Sequence, residues 1–149
     1  MAQTTDGMSL RDCKVEISTN GTDWTDISGF GAAVERSGGD RQSGDAYTFD
    51  GDTAIIAAGK REPIELNVRT VYTEGGSDPW QAVRTQYENA GDLYVRWAPK
   101  GGSVGDFRFT SDAGVVKNCP EPTGEAGSGD VVLFQFTIRV PKVTKSVVT

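Results

Sequence analysis

Four carboxylates, Asp40, Asp45, Asp50 and Asp52, crowd one short stretch of this sequence. A pair of carboxylates is enough to hydrolyse a glycosidic bond. These stand among Gly, Ser and Thr, in segments with the composition of turns, where Asp serves the backbone. Asp50-Gly51-Asp52 begins like a calcium loop but lacks the closing glutamate of an EF-hand, so it reads as a turn. Gly38-Gly39 and Gly101-Gly102 lack the Lys-Ser/Thr pair of a phosphate loop. Trp24, Trp80 and Trp97 can stack on a sugar, but such side chains more often fill a core. Arg69, Arg84, Arg96, Arg108 and Arg139 are interleaved with acids and read as solvated or interface charges. With no histidine in the chain, Ser-His-Asp catalysis and imidazole metal ligation are excluded. The prediction is a non-enzyme with no cofactor and no metal site.

The 149 residues suit one domain with a real core. The apolar share is 36%, and 19 glycines imply many turns. A net charge of −6 argues against gripping nucleic acid, because that affinity comes largely from Lys and Arg neutralising phosphates. No stretch approaches the ~20 apolar residues of a membrane span, and MAQTTDGMSL does not read as a signal peptide. Cys13 and Cys119 are expected to be small buried or half-buried strand residues, and a disulfide between them would be uncommon in a reducing cytoplasm.

The elements are mostly strands. Residues 1–10 are predicted to form a flexible arm. Cys13, Val15 and Ile17 share one face of a strand that ends at Asn20-Gly21, the preferred pair of a two-residue hairpin turn. That turn sets Ile17 opposite Trp24, and a bulge near Asp26 is then needed to bring Ile27 to the apolar face. A strand through Phe30, Ala32 and Val34 follows. The run Ser37, Gly38, Gly39, Asp40, Arg41, Gln42, Ser43, Gly44 and Asp45 has no apolar residue, so it cannot feed a core. It is expected to be a projecting or mobile hairpin tip. Tyr47 and Phe49 alternate after it. Residues 53–58 form a small-residue apolar strand in close backbone contact.

Residues 62–73 form a long strand, with Ile64, Leu66, Val68, Thr70 and Tyr72 on one face and Glu65, Asn67, Arg69 and Val71 on the other. Asp78 as N-cap and Pro79 as first residue open a helix over 78–90, with Trp80, Val83 and Tyr87 on its apolar face. Strands return at 93–98, 106–110 and 115–119. After an irregular loop at 120–129, residues 131–140 alternate, with Val132, Phe134, Phe136, Ile138 and Val140 on one side. Pro141 ends that ladder and 141–149 form a β-prone tail. The fold class is mainly β: a sandwich or barrel, one flanking α-helix, a long hairpin loop and extended termini.

Strands as long as 62–73 and 131–140 are an aggregation hazard unless a partner pairs with them. Head-to-tail pairing of copies makes rings or tubes. The 37–45 loop and both tails are then natural arms between subunits.

The opening VEISTNGTDWTDISGFG resembles the start of the major tail tube proteins of long, non-contractile-tailed bacteriophages. SGGDRQSGD is similar in position to their stacking loop. EPIELNVRTVYTE, the helix DPWQAVRTQYENAG, LYVRWAP and the closing DVVLFQFTIRVPKV follow that family's order of elements, over residues 13–143. The resemblance implies hexameric rings stacked into a tube through which a genome passes, in a virion tail made in the bacterial host cytoplasm. It also implies kinship with the tubes of contractile tails. Implied partners are further copies, a tape measure, a terminator, a tail tip, and double-stranded DNA passing without specific binding. Ring stacking would fall on Ser37 to Asp45. The polar faces, Glu65, Asn67, Arg69, Gln135, Thr137 and Arg139, are candidates to line the bore, with a negative lumen repelling the duplex. Two alternatives stand beside this: another tail ring component such as a terminator or baseplate ring, and a carbohydrate-binding or adhesion sandwich using Trp24 or Trp97.

Overall fold

The computed structural model describes residues 2–76 and 78–149. Met1, first residue of the expected arm, lies outside the described residues. The rest of that arm carries no strand and ends in a 3-10 turn, Leu10–Asp12. The strands are β1 (Lys14–Ser18), β2 (Thr25–Asp26), β3 (Gly31–Gly38), β4 (Arg41–Ala46), β5 (Ile55–Arg61) and β6 (Ile64–Val71), then, after helix α1 (Pro79–Asn89), β7 (Asp92–Ala98), β8 (Phe107–Ser111), β9 (Gly114–Asn118), β10 (Leu133–Val140) and β11 (Val143–Val147).

Nine of them form one open, coiled sheet in the order β11-β8-β7-β9-β10-β6-β3, with β1 on β7 and β2 on β1. The described pairings are antiparallel. β7 is shared by two wings: β1 and β8 pair along its second half, while β9 meets it at Asp92 and Leu93. Both wings turn their apolar rows to one cluster: Val15, Ile17, Leu93 and Val95 from one, Leu66, Val68, Phe134, Phe136 and Ile138 from the other. Alternation in β6 and β10 puts every second residue in that core, as the period-two pattern requires. The fold is mainly β with one helix, as the sequence pattern predicts.

Helix α1 closes the cluster with Val83, which is fully buried, and packs on β9 and β7. Asp78 stands at the N-cap, but its carboxylate accepts from the Gly75 N–H (2.6 Å) and the Thr73 hydroxyl instead of capping the helix. Arg84 ties the helix to the loop after β9. Its guanidinium donates to the Cys119 carbonyl (2.7 Å) and to Glu121 (2.8 Å) and Glu88 (3.0 Å).

Three local expectations need correcting. The Asn20-Gly21 turn is not a two-residue hairpin. Asn20 keeps an ordinary negative φ, and its side-chain oxygen accepts from the N–H groups of Thr22 and Asp23. The loop is thereby one residue longer, pairing Ile17 with Thr25 and Glu16 with Asp26. A slip of one residue reverses every side chain. Ile27 therefore reaches the core without a bulge, its N–H on the Val15 carbonyl at 2.9 Å. Trp24 moves to the outer face instead of facing Ile17.

The tail at 141–149 is also not a free arm. Its residues 143–147 are β11, laid along β8 from Val143 opposite Ser111 to Val147 opposite Phe107. β-prone residues next to an open strand edge complete the ladder within the chain.

The third correction concerns Ser37 to Asp45. Ser37 and Gly38 finish β3, Gly39 and Asp40 make a short break, and Arg41, Gln42, Ser43, Gly44 and Asp45 belong to β4. Backbone hydrogen bonding needs no apolar side chains, so a polar run can still be a strand. The tip of the hairpin lies beyond, at residues 47–54.

Candidate interaction surfaces

Two surfaces emerge from this arrangement, a projecting ribbon and a polar sheet face. The ribbon is the outer half of one long hairpin. β3 pairs with β6 inside the sheet, then β4 pairs with β5 outside it, as a separate two-stranded ladder. All residues of β4 and β5 are exposed. The seam is held by two backbone bonds, Gly39 N–H to the Pro63 carbonyl (3.1 Å) and Glu62 N–H to the Asp40 carbonyl (2.9 Å). At the seam Gly38 and Gly39 adopt φ of +73° and +80°. A side chain on Gly38 would sit 2.7 Å from the Pro63 carbonyl oxygen, and one on Gly39 would strike Ile64 at 2.7 Å. Glycine is the residue that permits this backbone. The apolar residues near the tip, Tyr47, Phe49, Ile55 and Ile56, are all exposed, Phe49 completely.

The polar face belongs to β3, β6, β10 and β9. Register puts Gln135 opposite Arg69, Thr137 opposite Asn67 and Arg139 opposite Glu65, so all six sequence-predicted lining residues share one face. The Thr137 hydroxyl donates to the Asn67 side-chain oxygen at 2.5 Å. Lys117 of β9 reaches Glu65 at 2.8 Å. That bond, with the charges of Lys117 and Arg139, holds the Glu65 carboxyl below its ordinary pKa. Glu35 of β3 lies opposite Asn67 and joins the row. Lys117, Arg69 and Arg139 thus stand against Glu35 and Glu65. The acidic surplus of the chain is not on this face, contrary to the expectation of a negative surface there. Lys117 and Glu35 went unnoticed in the sequence, since their strands pair with β6 and β10 across long separations.

The tryptophans form no common platform. Trp97 faces the core and stacks on Phe109 (5.7 Å), Trp80 packs against the core edge-on to Tyr72, and Trp24 lies outside over the Arg96 guanidinium (4.2 Å). Arg96 in turn grips Glu16 with two hydrogen bonds, 2.9 and 3.1 Å. Arg84 and Arg96 are therefore structural, where the sequence pattern reads them as solvated or interface charges. Asp40, Asp45, Asp50 and Asp52 are spread along the ribbon, and no cluster of metal-ligating side chains occurs among the described residues.

An open sheet coiled over one core, a helix at its side and a long two-stranded ribbon make up the described fold. No protein-family model matches the chain, and no curated protein matches it in sequence. Solved structures do resemble it. A chain of the anti-feeding prophage baseplate, a 6-fold symmetrised assembly, superposes with a TM-score of 0.69 at 12% identity, covering 99% of each chain. A chain from the PVC extracellular contractile injection system, in its extended sheath-tube complex, gives 0.67 at 12% identity over 97% of this chain and 94% of that one. The SPP1 tail tube gives 0.66 at 12% identity over 94% and 78%. Their breadth shows that this fold serves contractile injection systems too, so it does not by itself select the non-contractile class.

Proposed function

We propose that this chain is a structural tail component of a phage-like particle and assembles head to tail with copies of itself into stacked, hexameric rings that form the tail tube. One observation carries the reading: a long ribbon, β4 and β5, stands wholly outside the body that folds it. A protein gains nothing in its own stability from ordering such an arm, so the arm is for another molecule. It contains Arg41, Gln42, Ser43, Gly44 and Asp45 and continues from Ser37, Gly38, Gly39 and Asp40, which gives the stacking role to this segment together with its tip. Ring closure within a layer falls to the bare edge of β3, whose only partner among the described residues is β6.

In such a ring the row Glu65, Asn67, Arg69, Gln135, Thr137 and Arg139 faces the bore. Its cations, Arg69 and Arg139 with neighbouring Lys117, outnumber Glu35 and Glu65 by one, which keeps the attraction of each chain for phosphates weak as a duplex slides past. The partners are the tape measure, terminator and tail tip proteins, with double-stranded DNA passing without specific binding and no membrane. The site of action is the virion, after synthesis in the bacterial host cytoplasm. A non-contractile tail rests on the sequence resemblance alone.

A second reading, a terminator or baseplate ring that stops at one layer, is favoured by the likeness to a chain from a baseplate assembly. Negative-stain electron microscopy of the purified protein across a concentration series, with light scattering, separates the two. Tubes with a central bore are the expected result. Single rings would favour the terminator or baseplate reading, and a strict monomer that binds glycans would overturn both.

A further inference from the structure

We propose that the ribbon tip docks in a groove at the opposite end of a second copy of this chain, between the 99–106 turn and the exposed end of β8. The groove measures about 420 Å³ and is lined by Met8, Pro99, Lys100, Asp106, Phe107 and Phe109. This inference rests on the tail-tube reading and gives its stacking arm a receptor.

The tip combines two properties. Tyr47, Phe49, Ile55 and Ile56 are exposed, with Phe49 at 113% and Ile56 at 74%. Between Gln42 and Gly59 the chain carries Asp45, Asp50 and Asp52 and no Lys or Arg. A receptor must therefore be apolar and basic. The groove is both. Phe107 is half exposed, Val104 beside it is 80% exposed, and the Lys145 ammonium lies 3.9 Å from the Phe107 ring centre. Lys100 adds a second cation at the rim. Its one lining acid, Asp106, accepts the Ser103 N–H at 2.9 Å and is outnumbered by Lys100 and Lys145.

Rival surfaces fit less well. The exposed apolar patch at Val131 and Leu133 shares its hollow with Glu125 and Asp130, which would repel the tip. The hollow beside Leu10 and Cys13 holds only about 120 Å³.

Placement makes the contact directional. The base of the ribbon, at Arg61 and Glu62, adjoins Lys142 and Val143 at the start of β11. The groove adjoins Phe107, opposite Val147 at the end of β11. The root of the ribbon and the receptor thus belong to opposite ends of one strand pair, and the exposed tip does not fill the groove of its own chain. A contact between unlike surfaces at opposite ends repeats without closing and builds a stack.

The test is photo-crosslinking. p-Benzoylphenylalanine replaces Phe49 in the full chain, assembled particles are irradiated, and the adducts are mapped by peptide mass spectrometry. Adducts in the mass range of two chains, on residues 99–109 or 143–148, are expected. Adducts on another segment of rings or tubes would overturn the docking and leave the tail-tube reading intact. A chain that forms no particle at any concentration would overturn both. An independent arm reverses charge. Lys100→Asp with Lys145→Asp should raise the critical concentration for stacking roughly tenfold, and Asp50→Lys with Asp52→Lys should restore it. These residues lie on the surface and circular dichroism checks that each variant folds. Stacking unaffected by the reversal would also overturn the proposal.

Discussion

Gly39 donates its N–H to the Pro63 carbonyl at 3.1 Å, and this bond is where the body of the protein ends and the ribbon begins. On one side of it β3 and β6 bury Leu66 and Val68 completely; on the other, β4 and β5 bury nothing. The two ladders share a chain but not a stabilising core. Substitution at the seam should therefore separate folding from assembly. Gly38→Val adds a branched side chain at φ +73°, against a carbonyl oxygen 2.7 Å away. The left-handed backbone alone costs about 1–2 kcal/mol. The expected outcome is a small drop in melting temperature with a large loss of stacked particles, read by circular dichroism and electron microscopy. Intact stacks would mean that the ribbon's direction is not fixed at this glycine.

The Glu16–Arg96 pair sits under the Trp24 ring, with little of either side chain exposed. Glu16→Ala leaves a desolvated guanidinium and should cost about 2–4 kcal/mol, while Glu16→Leu with Arg96→Met should cost much less. Urea unfolding of the two variants measures the difference. Equal costs would show that packing by the Arg96 stem, rather than charge, is what matters.

Burial pushes the Cys119 thiol up to about 11. The folded chain then keeps its proton where the unfolded chain has lost it. Stability is full below the unfolded thiol pKa, near 8.5, and falls as pH rises from there toward the folded value. Cys119→Ala should flatten this alkaline slope. At neutral pH Cys119 should react with a thiol reagent far more slowly than half-buried Cys13. Comparable labelling rates, read by intact mass, would mean that the loop after β9 opens readily.

Charge on the polar face gives a test in assembled particles. Glu65→Lys removes the partner of Lys117 and turns a nearly balanced row strongly positive. With Gln135→Lys, DNA release should slow and become salt-dependent, while the particles still form. Normal ejection, with both positions shown outside the bore, would sink the lumen assignment. The depressed Glu65 pKa fixes the sign of a related effect. Its pairing is present above the ordinary carboxylate range and is lost as pH falls through the lowered value.

Much of this protein is written in local pattern. Period-two alternation places Phe134, Phe136, Ile138 and Val140 in the core and Gln135, Thr137 and Arg139 on the far face, because a strand has no other way to turn its side chains. Asp78-Pro79 opens the helix, with Pro79 at its first position, and Ala90 ends it in the left-handed region at φ +52°, a backbone that alanine adopts only at a cost. The lack of apolar residues in 37–45 correctly excludes that stretch from any core. What the pattern leaves open is partnership. Whether Ser43 pairs with Ala58, whether 143–147 hangs free or lies on β8, and whether Lys117 meets Glu65 depend on which edges come together over long separations. Hydrogen-bonding edges are nearly alike in every strand, so the sequence determined the faces of the long apolar strands and the helix, but not the polar strand β4 or the outward turn of Trp24. The tertiary structure alone decided the pairings, and with them that the exposed tip lies at 47–54.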